Sequence, residues 1–555
     1  MMIAVQLKIA QNSEPEEIMV TQGMMIEDLV KEYQSKLPYR ILAAKLNNRV
    51  VELNKLVTEP CNLTFLDIRN PSASLIYQRS VSFIYLKAVY DVLGKVKVLI
   101  ENSLNKGLYT EIKMRNHMPD DTLSKIEERM HQVVQADIPF TRKILGKEEA
   151  MQILSEGDHA EKRRMLARAS QFETVPIYSC DSFMNFFYGQ MVPSSGYIEH
   201  FELKKYRNGI LLRFPSCTEP DQVPEFKDER KLYQAFGEAK KWGNLMGISY
   251  VGDMNQKIEK EEYKEIIQVS EALHEKKIAG IADQIMKNGK RIILITGPSS
   301  SGKTSFAKRL SIQLMVLGQK PLYLGTDDYF VERHQTPLLP NGEYNFEDID
   351  ALDIELFNDN MNDLLSGKYV DLPTFNFKEG KKYFGERITR AKKKQPIIIE
   401  GIHGLNQALT PRIPEEEKFK IYISPLTQLN VDNHNRIPTT DARLLRRLVR
   451  DHEFRHYPAQ YTIEQWPKVR AGEDKNIFPY NSEADVFFNS ALTYELPVLK
   501  KYAQPLLEAI SSDEKAYSEA VRLLKFLRFF KTIDDESAIP NNSIIREFIG
   551  GSILV

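Results

Sequence analysis

Apolar positions along this chain follow several rhythms, each predicting a different kind of unit. Over residues 1–68, short strand-like runs (AVQLKIA, IMV, AAKLN, NLTFLDI) flank one stretch, MIEDLVKEYQSKL, where Ile26, Leu29, Val30 and Tyr33 recur at helical spacing. Such spacing puts these side chains on one helical face. A small α+β module is expected. NPSAS, at residues 70–74, reads as a linker because Asn, Pro and Ser punctuate structure. Beyond it come a helical run, SVSFIYLKAVYDVLG, charged helices around LSKIEERMHQVV and EKRRMLARASQF, and a strand-rich end, YIEHFELKKYRNGILLRF, closing near Pro215.

Between 216 and 285 the pattern turns helical and charged, as in EEYKEIIQVSEALHEKKIAGIADQIM. From Arg291 the rhythm changes again. RIILIT, PLYLG, PIIIE and FKIYI are continuous apolar runs separated by helical stretches, the pattern of a parallel α/β sheet buried on both faces. The tail from about 491 reads as helical. The expected organisation is therefore 1–68, 69–215, a helical connector at 216–285, an α/β domain at 286–490 and a helical segment at 491–555.

Composition narrows the classes of partner. Seventy-five basic and 76 acidic residues in 555 leave no global field for nucleic acid or membrane. Three cysteines, Cys61, Cys180 and Cys217, are too few and scattered for a disulfide framework or thiolate zinc site. No run reaches the ~18 apolar residues of a spanning helix, and the start lacks a signal-like apolar core. A cytoplasmic protein without membrane contact is expected.

The most specific chemistry lies in ITGPSSSGKTS, residues 295–305. Gly297, Ser299, Ser300, Ser301, Gly302, Lys303, Thr304 and Ser305 fall in or beside a GxxxxGK[ST] pattern between a strand and a helix, where backbone N–H groups curl around phosphate oxygens. Lys303 would reach the β- and γ-phosphates, and Thr304 would help hold Mg²⁺. Such a loop serves kinases, GTPases, motors and helicases alike. The next strand, PLYLG, runs into Thr326-Asp327-Asp328-Tyr329-Phe330, placing carboxylates at the strand end where α/β sheets bind ligands. An acid there can take a hydroxyl proton and approach a metal. Glu400 ends the strand PIIIE. Further on, Arg443, Arg447 and Arg450 share a helical face, with Arg446 alongside and Arg455 beyond.

The order GPSSSGKT, TDDYF, YNFEDIDALD, IIIEGIHGL, RLLRRLVRD resembles the uridine kinase and phosphoribulokinase family of P-loop kinases over about 200 residues. The resemblance implies ATP and Mg²⁺ as cofactors, Asp327 as catalytic base assisted by Lys303, and Thr304, Asp327 and Glu400 around the metal. It also implies a lid with Arg447, Arg450 and Arg455, and an acceptor pocket with Tyr329, Glu347, Asp350, Phe375 and Phe377. Three departures stand in that pocket. Glu347 replaces the family's sugar-binding aspartate and Phe375 its tyrosine, while Gly380 falls where uridine and cytidine kinases place a base-reading histidine. The expected activity is phosphorylation of a ribonucleoside 5′-hydroxyl, with a sugar phosphate as alternative acceptor and a regulatory RNA-associated ATPase as the alternative class.

The opening module resembles a TGS domain, a β-grasp unit. The second segment resembles the editing domain of threonyl- and alanyl-tRNA synthetases, keeping Val192-Pro193-Ser194-Ser195-Gly196. Where that family places paired histidines, a cysteine and a further histidine, this chain has Arg79, Phe83, Phe187 and Met191. These groups cannot shuttle protons or ligate zinc as the originals do, so deacylation is not expected. His117 and His131 show no ligand spacing and read as surface or capping residues. RNA contact by the front domains, through the strand FELKKYRNG for instance, and homo-oligomer formation stay open as partner classes.

Overall fold

The computed structural model describes residues 1–10, 13–114, 118–154, 160–168, 173–339, 342–427 and 429–555. His117 lies outside the described residues. Near the N-terminus, a five-stranded mixed sheet runs in the order Glu16–Thr21, Met2–Lys8, Cys61–Asp67, Ile41–Leu46, Arg49–Val51, with its central pair parallel. The helix Ile26–Tyr33 buries Ile26, Leu29 and Val30, as its spacing predicts.

The expected linker at 70–74 is not one. Asn70 caps the helix Pro71–Leu93, its Oδ1 accepting from the Ser72 N–H at 2.9 Å, with Pro71 in the first turn. Asn and Pro begin helices for the same reasons they make turns, a local side-chain acceptor and a preset φ. This helix packs with a four-stranded antiparallel sheet of Glu202–Tyr206, Gly209–Arg213, Gly107–Lys113 and Lys97–Leu104. One apolar cluster extends from Ile3 to Phe214, so the two front segments share a core.

The helices Arg230–Leu245, Val251–Glu259 and Tyr263–Asn288 lead to a parallel sheet. Its order is Leu322–Gly325, Ile397–Glu400, Ile292–Thr296, Lys418–Ser424, Val486–Asn489. The fifth strand is only VFFN, too short to show a period of its own. Ile292, Leu294, Ile397 and Ile399 face one core, while Ile293, Ile295, Ile398 and Ile421 face another. Burial on both faces is why these runs are continuous.

The C-terminal helices Glu495–Glu508, Tyr517–Leu527 and Arg546–Ile549 fold back onto the α/β domain. Ile544 and Phe548 enter the same cluster as Ile295 and Phe306. The front half docks on this tail and on the α/β domain: Val50 N–H donates to Ser518 Oγ (3.0 Å) and Ile100 N–H to the Asn433 carbonyl (2.8 Å). No helix among the described residues is long and apolar enough to cross a membrane.

Candidate active site

The strand Ile292–Thr296 ends in the glycine-rich loop, and the helix Lys303–Val316 begins directly after it. Two loop residues adopt left-handed backbone, Ser300 at φ 58° and Gly302 at φ 82°. A Cβ on Gly297 would lie 2.1 Å from the Ile423 carbonyl oxygen, so only glycine permits this approach to the neighbouring strand. A left-handed turn leading into a helix N-terminus is an anion-binding nest. The Ser300 and Ser301 hydroxyls are buried with no hydrogen-bond partner among the described residues, and Lys303 Nζ donates to the Gly297 carbonyl at 3.1 Å. Two carboxylates stand on donors at this site. Glu473 Oε1 accepts the Ser299 N–H (2.8 Å), and Glu547 Oε2 accepts the Ser305 N–H (3.2 Å) and hydroxyl (2.7 Å).

Sheet register places the acids. Glu400 pairs with Ile295 on one side and Gly325 on the other, so the ends of three strands share one edge. Thr304 Oγ1 donates to Glu400 Oε2 at 3.0 Å, and the Tyr323 hydroxyl donates to the same oxygen at 2.7 Å. Asp327 follows on the turn Thr326–Tyr329. Its carboxylate is solvent-accessible within a crowded cleft; desolvation first, then the charge of Glu400, hold its pKa above the usual range, with Lys303 opposing. Asp328 is drawn aside into an ion pair with Arg387 at 2.6 Å.

Thr304, Asp327 and Glu400 are hard oxygen donors of the kind Mg²⁺ prefers. Among the described residues no group of three or more His, Cys, Asp or Glu is arranged for a metal. Mg²⁺ takes one or two carboxylates and completes its shell with water and phosphate.

The arginine stripe divides. Arg443 and Arg446 are buried: Arg443 Nε donates to the Ser299 carbonyl at 2.9 Å and pairs with Glu473, while Arg446 pairs with Glu495. These two fasten the helix Thr439–Arg455 to the loop and are not part of an open cationic face. Arg447 donates to Ser299 Oγ at 2.8 Å. Arg447, Arg450 and Arg455 all contact the single buried carboxylate of Asp451, at 3.2, 2.7 and 3.4 Å. Three guanidinium groups sharing one acid leave positive charge in excess.

On the acceptor side the placements differ residue by residue. Glu347 lies beside the loop: desolvation and then Glu473 raise its pKa, while Lys303 and Arg447 pull it down. Tyr329 does not line an acceptor pocket. It is 1% exposed, packs edge-on against Phe357, and its hydroxyl accepts from Asn360. The turn that exposes Asp327 directs the next-but-one side chain into the core. Asp350 is exposed and its N–H caps onto Asp348. Phe375 is buried and Phe377 half exposed; with Phe330 and Phe346 they form an aromatic wall, ring centroids 5.1–5.7 Å apart. Gly380 has φ 68°, and the Arg333 side chain occupies the space where a Cβ would sit. Arg333 also donates to the carbonyls of Phe377 and Lys378.

In the front half, Phe83, Phe187 and Met191 are core residues, and the two rings meet edge to face at 5.8 Å. Arg79 alone is polar there, donating to the Gln190 carbonyl. The Pro-Ser-Ser-Gly turn is kept: Ser195 Oγ donates to the Val133 carbonyl (2.6 Å) and the Gly196 N–H to Asp137 (3.0 Å). In the strand FELKKYRNG, Lys204 lies over the Phe226 ring and Arg207 pairs with Asp228, so those cations are used within the protein. His131 packs against Phe201.

Glu473, Asp451, Tyr323 and Glu547 are absent from the sequence prediction. Glu473 and Glu547 lie 174 and 242 residues from the loop positions they touch, and no local pattern marks them.

Fold and site together define residues around this edge as a P-loop kinase fold. Residues 292–496 match the model of the Phosphoribulokinase / Uridine kinase family. The N-terminal region is similar to threonine–tRNA ligases: 29% identity over 181 residues with that of Geobacillus kaustophilus and 25% over 181 with that of Caldanaerobacter subterraneus, in both cases 33% of this chain. The chain spans 28% of the length of these relatives. A solved structure described as a possible uridine kinase from Bacillus stearothermophilus shares 20% identity, covering 38% of this chain and 97% of that one, with a TM-score of 0.26.

Proposed function

We propose that the α/β domain transfers the γ-phosphoryl group of Mg-ATP to the 5′-hydroxyl of a ribonucleoside, uridine or cytidine foremost. The observation that carries this is the shared strand edge, with the phosphate loop, Thr304 on Glu400, and Asp327 side by side. The family match supports a phosphotransferase acting on an alcohol. Asp327, its pKa raised, takes the hydroxyl proton as the oxygen attacks the γ-phosphorus, and ADP leaves. Thr304, Asp327 and Glu400 would hold Mg²⁺, which neutralises phosphate charge when bound. Lys303, Arg447 and Arg450, with Arg455 at the rim, stabilise charge on the transferring group and exclude water. Glu347 faces the sugar and the wall of Phe375 and Phe377 the base.

A specific observation favours a second acceptor, a small sugar phosphate. Arg333 fills the place beside Gly380 and has no carboxylate partner among the described ion pairs, so it offers charge to an anionic substrate. Purified protein incubated with Mg-ATP and a panel of nucleosides and sugar phosphates, with products identified by mass spectrometry, separates the two. A nucleoside monophosphate supports the first reading; a sugar bisphosphate alone replaces it.

The front half reads as a TGS-like β-grasp unit followed by an editing-like domain without hydrolytic residues, supported by the similarity to threonine–tRNA ligases. Its function is binding and docking.

A further inference from the structure

A cavity of about 80 Å³ lies where the front half, the α/β domain and the C-terminal helices meet, far in sequence from the phosphate loop. Arg49, Arg79, Arg436, Arg522 and Lys525 line it, and among the described residues no Asp or Glu does. On the same measure a water molecule needs roughly 10–15 Å³, so the space admits a phosphate group with its oxygens. Polar groups such as Gln78, Ser72 and Asn435 and the ring of Phe187 complete the wall.

The cations outnumber the acids beside them, which are Asp441, Glu519 and Glu52. Arg522 alone is fully paired, holding Asp441 through both nitrogens at 2.7 and 2.8 Å and also Glu519. Among the described ion pairs, Arg49, Arg79, Arg436 and Lys525 have no carboxylate within 4 Å. The Arg436 Nε is buried with no hydrogen-bond partner among the described residues. Glu52 is the nearby acid whose charge partly offsets Arg79 and Lys525, while it accepts from the Tyr178 hydroxyl at 2.5 Å and the Met191 N–H at 3.1 Å. The crowding acts on the lysine: burial first, then repulsion from Arg49, Arg142 and Arg79, outweigh Glu52 and bring the Lys525 pKa down to about 8. Collecting like charges in a partly closed space is unfavourable unless an anion joins them.

We infer that this cavity is a binding site for a compact phosphate-bearing anion, inorganic phosphate or diphosphate or the phosphate end of a small metabolite, separate from the phosphate loop. By the resemblance to synthetase editing domains, Arg79 stands at the place of a histidine, which would put a fixed charge where that family has a titratable ring. On the α/β side the wall ends at Pro438, the residue that opens the helix Thr439–Arg455 whose Arg443 and Arg447 hold Ser299.

The test is isothermal titration of the full chain with inorganic diphosphate, comparing Lys303→Ala, which weakens the loop, with Lys525→Met, which alters only the cavity. Saturable binding that survives Lys303→Ala and weakens at least tenfold on adding Lys525→Met supports the site. Binding lost with Lys303→Ala, or indifferent to Lys525→Met, overturns it. Lys525 makes no hydrogen bond or ion pair among the described contacts, and Lys525→Met should raise the melting temperature without anion; a drop would count against crowded charge. Crystals soaked in tungstate give an independent reading: an anomalous peak among Arg79, Arg436 and Lys525 supports the site, and a peak at the phosphate loop alone overturns it. Repeating the titration with a phosphosugar and a mononucleotide distinguishes the source of the phosphate. Retention of tRNA with no diphosphate binding would replace the small anion with an RNA end.

Discussion

Two places in this molecule gather nitrogen donors, and they do so by opposite means. At the phosphate loop the donors are backbone N–H groups shaped by Gly297, Ser300 and Gly302, and acids stand close by: Glu400 on Thr304, Glu473 on Ser299, Glu547 on Ser305. In the front half, beside the backbone turn Pro193 to Gly196, Phe83 and Met191 are packed into the core, while Arg79 and the ring of Phe187 line a cavity whose donors are side-chain cations. The difference shows that fold and chemistry make separate demands, because packing needs volume and apolarity whereas phosphate and proton chemistry need particular groups at hydrogen-bond reach.

That contrast can be broken by substitution. Asp327→Asn should cost phosphoryl transfer about 10²–10⁴-fold in a coupled ADP assay, with ATP binding and melting temperature little changed. Retained turnover would remove Asp327 from the role of base. Phe187→Ala should do the reverse. Loss of this buried ring is expected to destabilise the front half by about 3–5 kcal/mol, read as a lower urea midpoint, while kcat for the kinase reaction holds; a selective loss of kcat at unchanged stability would mean that Phe187 serves the active site.

The smallest expected effect concerns Glu547, whose carboxylate satisfies Ser305 at the start of the loop helix. Glu547→Gln should lower the stability of the nucleotide-free chain by about 1–2 kcal/mol and enlarge the thermal shift on adding Mg-ATP, because a phosphate then meets less competition for the same donors. An unchanged or smaller shift would show that Glu547 and the nucleotide do not compete.

Local chemistry was legible from the chain itself. The loop, its flanking strand and helix, the acids at strand ends and the buried parallel runs are all written in contiguous residues, since a strand ending in a glycine-rich turn must present its N–H groups wherever the sheet edge lies. The apolar character of Phe83, Phe187 and Met191 was equally readable, because residue type is written in the chain. Tertiary structure decided what distance in sequence conceals. It divided one arginine stripe into buried Arg443 and Arg446 and charge-rich Arg447, Arg450 and Arg455, turned Tyr329 into the core, and set Arg333 over Gly380. It also brought Glu473 and Glu547 to the loop and assembled five cations from separate segments around one cavity. Periodicity gives the direction of a side chain on its own element, but the partner that neutralises it or fails to is chosen only when elements pack.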